Sequence, residues 1–187
     1  MEYKDTLNLP KTDFPMKANL PNREPDILKS WARHSVFQKA LDQSKKSKKY
    51  VLHDGPPYAN GDIHIGHAVN KILKDFIIKS KIMSGYHTPF TPGWDCHGLP
   101  IELQVEKKYG KGKFKDNPNA FVAACREFAK KQIEKQKADF IRLGVFADWD
   151  NPYTSMDKEV EAGIVKSLSK IIDCLLYTSP SPRDLST

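Results

Sequence analysis

The chain has 187 residues, 39% of them hydrophobic, and 30 Lys and Arg against 23 Asp and Glu give a formal net charge of +7. This is enough for one ordinary domain or a large piece of a bigger one; no apolar run approaches the length of a membrane span, and Met1 to Pro10 has no signal-peptide core. The three cysteines, Cys96, Cys125 and Cys174, are odd in number and widely separated, which fits neither a disulfide framework nor a Cys-x-x-Cys zinc pattern and implies a reducing, cytoplasmic setting.

Residues 1–24 are rich in Pro, Asn and Lys and read as an extended arm. Pro25 suits the first turn of a helix reaching Leu41, with Ile27, Leu28, Trp31, Phe37 and Leu41 along its stripe. Arm and helix make an N-terminal unit over 1–45. Tyr50–His53 then reads as a short buried strand ending at the turn pair Asp54-Gly55. A loop follows, and then Val69, Ile72, Leu73, Phe76 and Ile77 recur at the spacing of an amphipathic helix, which Gly85 stops. Tyr86–Thr91 reads as a second strand, leading into a loop that carries Asp95.

Pro100 to Tyr109 reads as a short helix. Asn117-Pro118 starts a long one reaching about Leu143, with Phe121, Cys125, Phe128 and Phe140 on or near one face. Asp157 is the expected N-cap of a further helix in which Val160, Ile164, Leu168 and Ile171 keep the period. Alternating strands and helices imply an α/β fold with parallel strands, whose binding loops lie at the carboxyl ends of the strands.

The most informative stretch is Pro56-Pro-Tyr-Ala-Asn-Gly-Asp-Ile-His-Ile-Gly-His67. Its order is strand, loop, two histidines, helix. Such a junction gathers free backbone N–H groups at the positive end of a helix dipole and is a natural seat for phosphate. His64 and His67 add donors, and Gly66 between them permits close backbone approach to a ligand. From spacing alone, the pair also suits capping or packing. A zinc site from His64, His67, Cys96 and His97 has the right ligand types, but adjacent ligands are awkward for one tetrahedral centre, and no metal is expected. Asp95, read alone, suits a turn or an N-cap as well as a binding role. The positive charge, concentrated in Lys45–Lys49 and along Lys107–Lys115, suits solvated loops and is compatible with an RNA partner.

Pro57–His67 resembles the His-Ile-Gly-His region of class I aminoacyl-tRNA synthetases. Pro92-Gly-Trp-Asp-Cys-His-Gly-Leu-Pro-Ile-Glu102 resembles the following strand and loop of the isoleucine-specific branch, and Asp139–Trp149, Asn151–Asp157 and Asp5–Met16 look like the same family. The likeness runs from about Tyr3 to Asp173. It implies a Rossmann-like parallel sheet, the N-terminal half of a class I catalytic domain, over 46–173. It also implies that His64 and His67 contact the ATP phosphates and stabilise the transition state of adenylate formation, with Asn60 and Gly66 in the same ATP subsite. Gly55 and Pro56 would line the amino-acid pocket, and Asp95 would hold the substrate ammonium.

The partners implied are isoleucine, ATP with Mg2+, and tRNA(Ile), for a protein that is cytoplasmic, off the membrane and monomeric at full length. Valine or leucine ligases of the same class, and a non-catalytic RNA- or nucleotide-binding fragment, are the alternatives. The family's Lys-Met-Ser-Lys-Ser loop, its editing and anticodon-binding regions and any zinc module are absent from this chain, so inactivity in isolation is expected. Residues 174–187 are a different kind of sequence: Cys174–Asp184 reads as one frame of a transposase-type sequencing adapter, and a non-native tail is expected there.

Overall fold

The computed structural model describes residues 3–8, 13, 15–110 and 112–174. The expected adapter-derived tail lies, apart from Cys174, outside the described residues. The chain forms two compact units, Met1–Val36 and Phe37–Thr187.

In the first unit a 3-10 turn, Tyr3–Thr6, precedes helix α1, Leu20–His34. The helix starts before Pro25 because Pro21 takes the early-turn position; Pro25 lies inside it and forfeits one helical hydrogen bond. The arm expected over 1–24 is therefore partly helical. The single helix expected to reach Leu41 is two. Ser35 adopts a left-handed conformation, φ 49° and ψ 49°, and its N–H bonds back to Ala32 O. Helix α2, Val36–Ser44, follows directly. Glycine usually supplies such a left-handed stop, so the sequence carries no mark of it.

The second unit is built on three extended segments in parallel. The outer two flank the segment 87–95. On one side Lys49 bridges His87 and Tyr58 bridges Asp95; on the other, strand β1 (Gly93–Trp94) pairs with strand β2 (Tyr153–Thr154) in the register Gly93↔Tyr153 and Trp94↔Thr154. The strand expected at Tyr50–His53 is thus reduced to the bridge at Lys49, and the one expected at Tyr86–Thr91 pairs regularly only at Gly93–Trp94. Parallel neighbours require long crossovers. Helix α3 (Ile65–Met83) makes the first, and helices α4 (Leu99–Tyr109) and α5 (Pro118–Arg142) make the second; helix α6 (Lys158–Asp173) follows β2.

The terminators act much as their chemistry dictates. Gly85, at φ 81°, ends the turn after α3. Asn117 caps α5, its side-chain oxygen accepting from Ala120 N–H at 3.0 Å. Asp157 occupies the N-cap of α6, yet its carboxylate accepts from Thr154 N–H rather than from the helix.

One core cluster joins Ala59, Trp94, Ile101, Ala129, Ile133, Phe140 and Met156, which links the histidine loop, β1, α4 and α5. A second joins Ile78, Phe90 and Ala147, and Trp149 packs against both. The face α3 turns inward is not its apolar stripe. Lys71, Asp75 and Ile78 are buried, while Val69, Leu73 and Phe76 are exposed, Phe76 at 63%. Likewise α6 buries none of its residues, and Ile164 and Leu168 are exposed.

Candidate active site

His64 is the N-cap residue of α3, with extended backbone angles. Its Nδ1 accepts from the N–H of Gly66 at 3.0 Å, and its own backbone N–H donates to Nδ1 of His67 at 3.3 Å. The rings stack, with centroids 3.9 Å apart and planes 26° apart. Both Nδ1 lone pairs are therefore committed to backbone N–H groups. In the neutral imidazoles this places the remaining proton on Nε2, so each ring offers one Nε2–H donor. Burial first, then the electrostatic effect of the neighbouring His64 and Lys71, holds His67 below its usual value of 6.5. Its neutral form is thereby favoured.

A Cβ on Gly66 would stand 2.9 Å from His64 Cε1 and 3.0 Å from its Nδ1. A Cβ here would push the His64 ring aside, a reason for glycine that stands beside the clear path to a ligand expected above. His64, Gly66 and His67 line a cavity of 270 Å³ together with Gly55, Pro57, Asn70, Lys71 and Phe140. Capping and site geometry coexist: the hydrogen bonds that cap α3 are the ones that set the tautomers.

Asp54, expected as a turn residue, is a buried ionic hub. It pairs with Lys71 and, at 2.6 Å, with Lys74, and it accepts from Gly93 N–H at 3.0 Å. The turn before the histidine loop is thereby pinned to α3 on one side and to β1 on the other. Gln136 holds the loop itself. Its side chain, 1% exposed, donates to Tyr58 O at 3.1 Å and to Gly61 O at 2.7 Å, and accepts from the Trp94 indole at 3.0 Å.

The expected amino-acid subsite is divided. Gly55 lines the histidine cavity, whereas Pro56 lines a separate 430 Å³ cavity with Gly93, Thr91 and Tyr153. Asp95 lines neither. Its backbone sits beside the histidine loop, accepting from Ala59 N–H and donating to Pro57 O. Its Oδ1 accepts from Ser155 Oγ at 3.1 Å and from His97 N–H at 3.2 Å, and Ser155 Oγ accepts from Cys96 N–H. Asn60 is half-buried and does not line the histidine cavity. Among the described residues, no group of three or more His, Cys, Asp or Glu can hold a metal ion.

Asp54, Lys71, Lys74, Gln136 and Ser155 escaped the sequence reading. Only the lysines left a signal: they follow His67 at i+4 and i+7, on one helical face with it.

Two imidazoles at a helix start after the first of several parallel segments is the arrangement expected above for class I aminoacyl-tRNA synthetases. The family described as tRNA synthetases class I (I, L, M and V) matches residues 26–181, and the chain belongs to it. Curated relatives include the isoleucine–tRNA ligases of Shewanella piezotolerans (63% identical over 172 residues), Alcanivorax borkumensis (59%) and Actinobacillus pleuropneumoniae serotype 5b (58%). Each alignment covers 92% of this chain and 18% of the relative, so the chain spans about a fifth of their length. A solved structure, the ternary complex of Agrobacterium radiobacter K84 agnB2 LeuRS with tRNA and LeuAMS, shares the fold with TM-score 0.65 and 22% identity over 84% of this chain and 18% of that one. Among the described residues, no helix is long and apolar enough to cross a membrane.

Proposed function

We propose that this chain supplies the ATP-phosphate subsite of an isoleucine–tRNA ligase acting in the cytoplasm. The isoleucine carboxylate attacks the α-phosphorus of ATP. The bond from that phosphorus to the bridging oxygen breaks, and pyrophosphate leaves with the electron pair; the adenylate then passes its acyl group to tRNA(Ile). The substrate brings its own nucleophile, so the protein has only to position the reactants and stabilise charge.

The observation that carries the reading is the pair of Nε2–H donors in the cavity at the start of α3. Nε2–H donors held in fixed positions can follow charge as it grows on the phosphate oxygens. Mg2+ would arrive on the ATP phosphates and screen their charge. Asp95 would take the isoleucine ammonium, Gly55 and Pro56 would line the amino-acid pocket, and Asn60 would meet the nucleotide. The isoleucine assignment rests on the relatives' names and on identity up to 63%.

The test is a chimera in which the matched segment of this chain replaces that of the Shewanella piezotolerans enzyme. His64→Ala and His67→Ala should each lower isoleucine-dependent pyrophosphate exchange by roughly 10²–10³ with little change in isoleucine affinity. Lost isoleucine affinity at unchanged turnover overturns the histidine roles. A chimera that prefers valine or leucine overturns the substrate.

A further inference from the structure

Two lysines meet one carboxylate beside the histidine cavity. The side chain of Asp54 is 4% exposed, that of Lys71 3% and that of Lys74 14%. Among the described residues no other carboxylate pairs with either lysine. The nearest acid along α3, Asp75, is engaged by Lys79 and by the N–H of Phe146. The third donor to Asp54 is the neutral Gly93 N–H, so the cluster holds one positive charge more than it can balance.

Such a surplus is costly inside a protein. Aromatic faces offset part of it: the Lys71 ammonium stands 5.2 Å from the centroid of Phe140 and 6.0 Å from that of Phe90. They do not neutralise it. Lys71 also lines the cavity that holds His64 and His67.

We propose that Lys71 is an anion-binding residue of the histidine cavity, its buried ammonium the electrostatic counterpart of the phosphate groups that the two imidazoles contact. This rests on the phosphate reading of the cavity given above. An anion entering from the histidine side removes the surplus charge. Asp54 holds the ammonium in place beforehand, so little reorganisation accompanies binding. Lys74 keeps Asp54 paired if Lys71 is lost, which makes Lys71 the dispensable member of the cluster for folding and the necessary one for the anion. Burial is also the leading cause that lowers the Lys71 ammonium below its usual value of 10.5, against the opposing pull of Asp54.

The test uses the full 187-residue chain and inorganic pyrophosphate, with sulfate at matched ionic strength as the control anion. At about five times its dissociation constant, pyrophosphate should raise the unfolding midpoint of the natural chain by about 2–4 °C. Lys71→Met should lose this rise while its own midpoint without anion stays level or climbs. Lys71→Gln should behave alike if the methionine packs poorly. Lys71→Arg should restore the response, and Lys74→Met should keep it. An equal rise in the natural chain and in Lys71→Met overturns the role of Lys71 and leaves the phosphate reading intact. A midpoint that falls in both neutral variants without anion overturns the surplus charge. No rise in the natural chain overturns the proposal, and the exchange assay on the histidine variants then decides the phosphate reading independently.

Discussion

Gln136 and Trp94 are joined by a buried hydrogen bond of 3.0 Å from the indole N–H to the amide oxygen, and the amide nitrogen of Gln136 carries the histidine loop on two carbonyls. One side chain on α5 thus fixes both β1 and the approach to α3. Replacing it by Met fills similar space and leaves an indole N–H and two carbonyls without their partner. Gln136→Met should cost about 2–3 kcal/mol, read from denaturant unfolding, since each buried polar group left unpaired is penalised. Trp94→Phe, which removes the donor, should leave the loop carbonyls bonded and the Gln136 side-chain N–H protons slow to exchange. A fully stable Gln136→Met chain would show that the loop holds its shape without this tie.

Gly66 separates stability from chemistry. Alanine is a better helix former by about 1 kcal/mol. Its Cβ nevertheless meets the His64 ring at 2.9 Å. Gly66→Ala should therefore leave the unfolding midpoint little changed while pyrophosphate exchange by the chimera falls by 10-fold or more, since one donor is displaced. Unchanged exchange would mean that the stacked geometry of His64 and His67 is dispensable.

The His67 imidazole has a defined pH signature. Its folded value lies below 6.5, chiefly through burial, so the unfolded chain takes up this proton first as pH falls. The group's contribution to stability is complete above pH 6.5 and is lost as pH drops from there towards the folded value. Imidazole proton shifts should show His67 titrating below 6.5 in the natural chain. In Lys71→Met its midpoint should move up, because a positive neighbour is gone. An upward-shifted His67 in the natural chain would contradict the neutral donor role.

Ser155 orients Asp95 by donating to Oδ1 at 3.1 Å while accepting from Cys96 N–H at 2.7 Å. Ser155→Ala should destabilise by about 1–2 kcal/mol through the two lost bonds. In the chimera it should raise the KM for isoleucine more than it lowers kcat, and Ser155→Thr should recover much of the loss. Equal changes in kcat and in the KM for ATP would place Ser155 outside the proposed ammonium subsite.

The helices were legible wherever local chemistry sets them. Asn117-Pro118 announces α5, and Gly85 closes α3. Their inward faces were less so. The repeat Val69, Leu73, Phe76 identifies a helix but not which side is buried, because partners from distant segments, the Asp54 carboxylate and the Phe146 N–H, draw Lys71 and Asp75 inside. The strands were shorter than their apolar runs suggest: parallel pairing is set by neighbours, and here it persists over two residues between β1 and β2. The break at Ser35 had no local sign. In the candidate site, Gly55, His64, Gly66 and His67 share one cavity, while Pro56, Asn60 and Asp95 lie off it. Gln136 escaped notice because nothing in its own neighbourhood shows that it reaches residues 75 and 78 positions earlier.

That span bears on how the chain comes off the ribosome. At about 5–20 residues per second, several seconds separate synthesis of the Tyr58–Gly61 carbonyls from that of the amide which binds them. During that interval the nascent protein already carries both imidazoles but not the clamp that shapes their approach. Any nascent piece ending short of position 136 therefore lacks the tie on the approach to the histidines, whatever its own helix start has already formed.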